Sequence, residues 1–259
     1  MKRPLLVLDR AEVESAGTPT VAFRHLAALW VQLTGTWCNL ECVHCLNASG
    51  PDDPWLKPLD AGRVRRALHE AERLGVKEIY FTGGEPFLHR EILPLLGDAL
   101  RVAPTTVLTN GTAITEPIAA ALAALAARTR YSLEVRVSLD DVEAGANDRV
   151  RGAGAWARAV QAIRRLHDRG LLPIVTATEI STGGPATGLH ERFRDFLLGL
   201  GIDKPRVKIM PVFALGRRAD GDGERLRAES LEGFDTGLLQ CADTRVLADG
   251  GVFACPILA

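Results

Sequence analysis

Long apolar runs are missing from this chain. No stretch approaches the roughly 18 consecutive apolar residues of a membrane helix, so no helical span is expected. The opening MKRPLLVLDRAEVE begins basic, but Asp9 and Arg10 interrupt its apolar part too early for a signal peptide. An excess of either charge is also missing: 31 Lys and Arg face 32 Asp and Glu, for a formal net charge of −1. Nucleic-acid binders usually display a basic stripe. The arginines here are spread along amphipathic runs such as RVRRALHEAERLG (Arg63–Gly75). Neither a nucleic acid nor a membrane is therefore expected as a partner. Cysteine is scarce and odd in number, five in 259 residues. That argues against a disulfide framework and for reduced thiols in a cytoplasmic protein. Reduced thiols are free to take metal.

Apolar residues, at 47%, suffice for the core of one large domain. The chain alternates short β-branched runs with amphipathic ones. Strands are expected at Val31–Gly35, Val76–Gly84, Thr105–Gly111, Ser132–Asp140, Leu172–Ile180 and Arg206–Phe213. Helices are expected at Leu59–Gly75, with Asp60 as N-cap and Gly75 as stop, and at His89–Val102, where Pro94 marks a late start. Others are expected at Glu116–Arg130, Ala155–Gly170 and Leu189–Gly201. Six strands alternating with helices imply a parallel sheet, doubly wound or curved into a barrel. Both architectures bind ligands at the C-terminal ends of the strands. The polar and Gly-rich segments gather there: the cysteines, then FTGGEP, TNGT and SLD. From Gly216 the chain changes character. GRRADGDGERLRAES reads as an exposed loop, and TRVLA and VFA flank the turn DGG as a hairpin bracketed by Cys241 and Cys255. The expected division is an extension over 1–28, a core over 29–215 and a hairpin segment over 216–259.

Cys38, Cys42 and Cys45 are spaced C-x3-C-x2-C. One reading is a helix face buried in the core. Asn39, Glu41 and Asn47 are interleaved with the thiols, however, and ASGPDDP continues no helix. A second reading is a zinc site in a structural or regulatory protein, with His44 as fourth ligand. Its weakness is that His44 adjoins Cys45, and only one ligand knuckle is present. A third is an iron–sulfur cluster, which soft thiolates also select. Three cysteines on a [4Fe–4S] cluster leave one iron without a protein ligand.

A C-x3-C-x2-C segment after a first strand resembles the signature of the radical S-adenosylmethionine (radical SAM) enzymes. The resemblance implies a partial (β/α)6 TIM-type barrel with a C-terminal β-hairpin appendage. It also implies that S-adenosylmethionine chelates the open iron and is reductively cleaved to a 5′-deoxyadenosyl radical, which abstracts hydrogen from a substrate. Cys38, Cys42 and Cys45 are then cluster ligands, and His44 fills the place of the family's usual aromatic residue. Gly83, Gly84 and Glu85 resemble the GGE motif that holds the cofactor's amino group. Asn110 matches the third-strand end and Ser138 a cofactor-contacting serine, with Asp140 on the same strand face. Arg151 matches an arginine that pairs with the cofactor carboxylate. Thr178, Glu179 and Met210 are further pocket candidates. The Cys241–Cys255 hairpin resembles the start of SPASM or Twitch modules, which hold an auxiliary iron–sulfur cluster. Such modules need more cysteines than follow here, so the chain is either a fragment or carries no second cluster. A flavodoxin or ferredoxin is implied as electron donor, and the substrate is a peptide, a protein or a small molecule.

Overall fold

The computed structural model describes residues 20–52, 54–180, 188–219 and 228–255. Most of the N-terminal extension and residues 220–227 of the Gly216 loop lie outside them. Six strands follow one another in sequence and in space: β1 (Ala28–Gln32), β2 (Glu78–Thr82), β3 (Thr105–Thr109), β4 (Leu133–Ser138), β5 (Ile174–Thr178) and β6 (Val207–Met210). Each pairs in parallel with the next. Between them run α1 (Ala61–Arg73), α2 (Ile92–Val102), α3 (Glu116–Arg128), α4 (Ala144–Arg151), α5 (Ala155–Asp168) and α6 (Leu189–Gly199). The sheet does not close: β6 forms one edge. This is the partial α/β barrel, and among the described residues no helix is long and apolar enough to cross a membrane.

Strand alternation divides the sheet into two faces. Leu29, Val31, Ile79, Phe81, Val107, Val135, Val137 and Val175 point outward and are buried. They form one core with the apolar stripes of the helices, including Val64, Leu68, Leu95, Leu96, Ile163 and Phe193. The opposite face carries Trp30, Leu108, Arg136, Ser138, Thr176 and Lys208, which line a cavity. The outer face therefore holds the barrel together and leaves the inner face free to be polar.

Local signals explain most boundaries. Asp60 caps α1 by accepting from the Arg63 N–H at 3.1 Å, and Pro94 sits in the first turn of α2, where its missing N–H breaks no helical bond. Two expectations are corrected. The first strand begins at Ala28 rather than Val31 and ends at Gln32, because residues 33–36 already turn into the loop. Helix α4 was not expected at all. Its buried residues are Asn147 and Arg151, so it has no apolar stripe to detect.

The C-terminal hairpin consists of β7 (Thr244–Ala248) and β8 (Gly251–Phe253). It does not hang from the barrel as a separate piece: β7 pairs in parallel with β1, from Ala28↔Thr244 to Val31↔Leu247. Leu247 is 3% exposed and belongs to the main core. Replacing it with Ala should destabilise the whole fold by about 2–4 kcal/mol, read as a shift of a single unfolding transition. A change confined to a separate minor transition would mean that the hairpin is energetically detached.

Candidate active site

The cysteine loop is a closed excursion from the end of β1. Cys38 N–H donates to the Gly50 carbonyl at 2.9 Å, and Gly50 N–H to the Thr36 carbonyl at 3.1 Å. These bonds bring the two ends of the loop together. Between them no helix forms: successive turns place Cys45 N–H on the Cys42 carbonyl and Ala48 N–H on the Cys45 carbonyl. The helix-face reading of the triplet therefore fails.

The start of the loop rests on the end of β2. Gly84 N–H donates to the Gly35 carbonyl at 2.9 Å, and Glu85 N–H to the Trp37 carbonyl at 3.1 Å. The contact leaves no room for side chains. A Cβ on Gly84 would stand 2.0 Å from the Trp37 carbonyl oxygen and 2.8 Å from Cys38 Cβ. At Gly83, φ is +131° and a Cβ would meet Thr34 Oγ1 at 2.5 Å. The glycines let two backbones approach each other, and Gly83 also borders the cavity.

Glu85 is fully buried, and its carboxyl faces the chain. One oxygen accepts from the Thr109 hydroxyl at 2.7 Å and the Phe87 N–H at 3.1 Å. The other accepts from the Asn110 N–H at 2.7 Å. Burial pushes this carboxyl up to about 7, against the pull of those donors. Glu85 thereby ties β2 to the TNG turn after β3. Asn110 carries the connection onward: its side-chain amide donates to Asn39 Oδ1 at 3.0 Å and lies 3.6 Å from Cys38 Sγ.

All three thiols face N–H groups. Leu40 N–H points at Cys38 Sγ (3.4 Å), Ser49 N–H at Cys45 Sγ (3.3 Å), and Arg151 Nη1 lies 3.9 Å from Cys42 Sγ. Burial pushes the Cys38 thiol up to about 11, with Glu85, Cys42 and Cys45 adding to the rise. Burial also raises Cys42, against the opposing pull of Arg151. Sulfur atoms that each face one or two N–H donors fit an iron–sulfur cluster, whose sulfurs are tuned by such bonds. Among the described residues, no group of three His, Cys, Asp or Glu is gathered as one metal ion would need.

At the end of β4, Asp140 organises the far wall. It is 6% exposed. Its Oδ2 lies 2.7 Å from Arg151 Nε and 3.4 Å from His44 Nε2, while Oδ1 accepts from the Thr178 N–H at 2.8 Å. Asn147 on α4 accepts from the Asp140 N–H at 3.0 Å. Arg151 is raised above its ordinary value: burial opposes its charge most strongly, but Asp140, Cys42 and Cys45 together outweigh burial. Burial lowers His44 despite Asp140.

His44, Cys45, Gly83, Ser138, Arg151, Thr178 and Met210 all border one cavity of 290 Å³ between the loop and the inner sheet face. Buried polar atoms there, His44 Nδ1, Ser49 Oγ and Thr176 Oγ1, have no hydrogen-bond partner among the described residues. A polar, zwitterionic cofactor such as S-adenosylmethionine fits this lining. Glu179 does not border the cavity; its N–H donates to the Met210 carbonyl. A larger groove of 480 Å³ lies outside, between α2 and α3, with no thiol in its walls.

Two features were not visible in the sequence. The GRR segment is largely exposed, as read, but through Arg217 it also clamps the cysteines. Arg217 donates to the carbonyls of Cys42 (3.0 Å), Ser49 (2.6 Å) and Ala48 (3.3 Å), and its N–H to that of Cys45 (3.1 Å). Nothing near Arg217 in sequence marks this role. Cys241 and Cys255 sit at the opposite end of the sheet from the triplet. Cys241 precedes β7, whose start pairs with the start of β1, and Cys255 follows β8 at the same end. The five-residue length of β1 alone sets them about 15 Å or more from the Cys38 loop.

The Glu85 bonds give a test of this frame. In Glu85→Gln the amide nitrogen must face a donor, since both carboxylate oxygens accept. The expected cost is about 1–3 kcal/mol in anaerobic denaturant unfolding. Unchanged stability would show that the three bonds do not hold the β2–β3 junction.

Comparison with known proteins gives the site a lineage. Residues 33–192 match the family model described as the Radical SAM superfamily. The chain is 37% identical over 134 residues to the mycofactocin maturase MftC of Mycolicibacterium smegmatis, covering 51% of this chain and 32% of that protein. It is 33% identical over 189 residues to a GTP 3′,8-cyclase of Mycobacterium sp. (strain KMS), covering 68% of this chain and 51% of the cyclase. The chain thus spans between a third and a half of these relatives' lengths. Among solved structures, Streptococcus suis SuiB bound to S-adenosylmethionine superposes with a TM-score of 0.63 at 15% identity, covering 95% of this chain and 63% of SuiB. At that identity the likeness shows the fold alone. The family match covers more than half of the sequence and includes the thiols, GGE, TNG and the end of β4: the chain belongs to the radical SAM superfamily.

Proposed function

We propose that this chain is a radical SAM enzyme whose Cys38, Cys42 and Cys45 hold a [4Fe–4S] cluster, and whose cavity holds S-adenosylmethionine beside a peptide or small-molecule substrate. Members of the superfamily are enzymes that use these two cofactors. The observation that carries the reading is a thiol triplet whose sulfurs each face an N–H donor, with Cys45 opening onto a cavity that Arg151, Ser138 and His44 also line. Bound together, the cofactors supply a carbon radical able to abstract a hydrogen atom, with an electron from an external donor such as a flavodoxin or ferredoxin.

The chain's own groups would do the rest. Arg151 and Asp140 form a fixed pair beside Cys42. Arg151 is placed to receive a carboxylate, and Asp140 holds it in orientation. Ser138 and the unpartnered His44 Nδ1 offer further polar contacts to the cofactor. Asn110 presents an amide to Cys38, and Gly83 brings backbone to the cavity wall. Water is limited by the loop above and the packed sheet behind. Cys241 and Cys255 are the candidates for a second cluster. Two thiols do not complete one, so further ligands would be needed.

Anaerobic reconstitution tests the reading. The protein should take up about four irons per chain, as one cubane requires. With dithionite and S-adenosylmethionine it should release 5′-deoxyadenosine. Replacing Cys38, Cys42 and Cys45 together with Ala should abolish both. Full iron loading without 5′-deoxyadenosine would defeat the enzymatic reading, and tight zinc without iron would support the structural-metal alternative.

A further inference from the structure

The cavity floor carries cations that the expected cofactor contacts do not use. Arg136 lies on β4 two residues before Ser138 and four before Asp140. It is therefore about 13 Å down the strand from the Asp140–Arg151 pair. Only its Nε is engaged, by Glu134 Oε1 at 2.7 Å. The second Glu134 oxygen accepts from Arg206 Nη2 at 2.7 Å. Among the described residues, neither terminal nitrogen of Arg136 donates to anything. Glu134 therefore holds the guanidinium still while leaving its outer edge open.

Lys208 stands nearby. The register Ser138↔Thr176↔Lys208 puts it one strand layer above Arg136 on β6. It borders the same cavity and makes no ion pair among the described residues. Burial, then the Arg136 charge, pulls its ammonium below the ordinary value. The local count is three cations, Arg136, Arg206 and Lys208, against two carboxylates, Glu134 and Glu78. Glu134 is shared by two arginines, and Glu78 is occupied by the Tyr80 hydroxyl. One positive charge is left without a partner at the cavity wall.

The floor beneath is aromatic. Trp30 and Tyr80 stack at 4.3 Å and 8°, and the Arg136 guanidinium lies 5.5 Å from the Tyr80 ring centre. Such a stack fixes a guanidinium plane and offers an apolar wall beside it.

We infer that Arg136 and Lys208 form a subsite for a carboxylate on the substrate, with the Trp30–Tyr80 stack receiving the carbon stem next to it. The inference rests on the proposed use of this cavity for substrate. A planar two-oxygen anion matches the two free nitrogens of Arg136, and Lys208 adds a point charge from the side. Phosphate fits less well. The N–H groups of β4 and β5 at this depth are spent on the sheet ladder. The carboxylate can belong to a peptide C-terminus or to a small organic acid, since the recognising chemistry is the same.

Calorimetric titration of the anaerobically reconstituted full chain tests this. The probes are N-acetylglycylglycine and glutarate, their neutral amides, and inorganic phosphate. One or both acids should bind, and which one does separates the peptide source from the small-acid source. The amides should bind at least about tenfold more weakly. Arg136→Gln should weaken acid binding by about tenfold or more, Arg136→Lys by less, and Lys208→Gln by about threefold with a shallower salt dependence. Lys208 is exposed on an edge strand, so its variant reports even if Arg136→Gln folds poorly. Equal binding of acids and amides, tighter binding of phosphate than of either acid, or acid binding that survives both glutamine variants would overturn the assignment. Iron content and 5′-deoxyadenosine release, measured on the same samples, show separately whether the cofactor reading has failed.

Discussion

The site depends on one close passage of backbone. Gly83 and Gly84, at the end of β2, run against Thr34–Cys38 with no space for a Cβ. Two backbone bonds, from Gly84 to Gly35 and from Glu85 to Trp37, lock that passage. It fixes where Cys38 begins the loop, and Glu85 extends the lock to β3 through Thr109 and Asn110. Asn110 then returns to Cys38. Three consecutive strand ends are thereby joined through buried hydrogen bonds rather than through side-chain packing. Buried polar groups of this kind are costly when unpaired, so the network holds only as a unit.

The rest of the loop is held from the other side of the molecule. Arg217 gathers three carbonyls of the cysteine segment, and α4 brings Arg151 to Cys42. Asp140 couples that helix to the loop through His44 and to β5 through the Thr178 N–H. The thiol triplet thus has a rigid mount on one flank and a charged one on the other. The charged flank is where a zwitterionic cofactor would meet the protein.

Much of this was legible in the sequence, and the limits have physical causes. The six strands and the helices α1, α2, α3, α5 and α6 show because apolar residues recur at strand or helix period, and the outer core needs that recurrence. Helix α4 escapes because Asn147 and Arg151, not apolar residues, anchor it. Cys38, Cys42 and Cys45 stand out by spacing. Arg217 does not, since its partners are carbonyls of any residue type about 170 positions away. The glycines of GGE are visible as a motif, but whether they face a ligand or a neighbouring strand is decided only in three dimensions. The same holds for the hairpin: its turn is local, whereas its pairing with β1 spans the whole chain.

The central claim is that three thiolates mount a cluster with one iron left for S-adenosylmethionine. Electron paramagnetic resonance of the dithionite-reduced, iron-loaded protein addresses it directly. A reduced-cluster signal that changes shape and position when S-adenosylmethionine is added is the predicted result, because under the proposed reading the ligand would join the iron that the three thiols leave open. A cluster signal that ignores S-adenosylmethionine at saturating concentration would contradict the account.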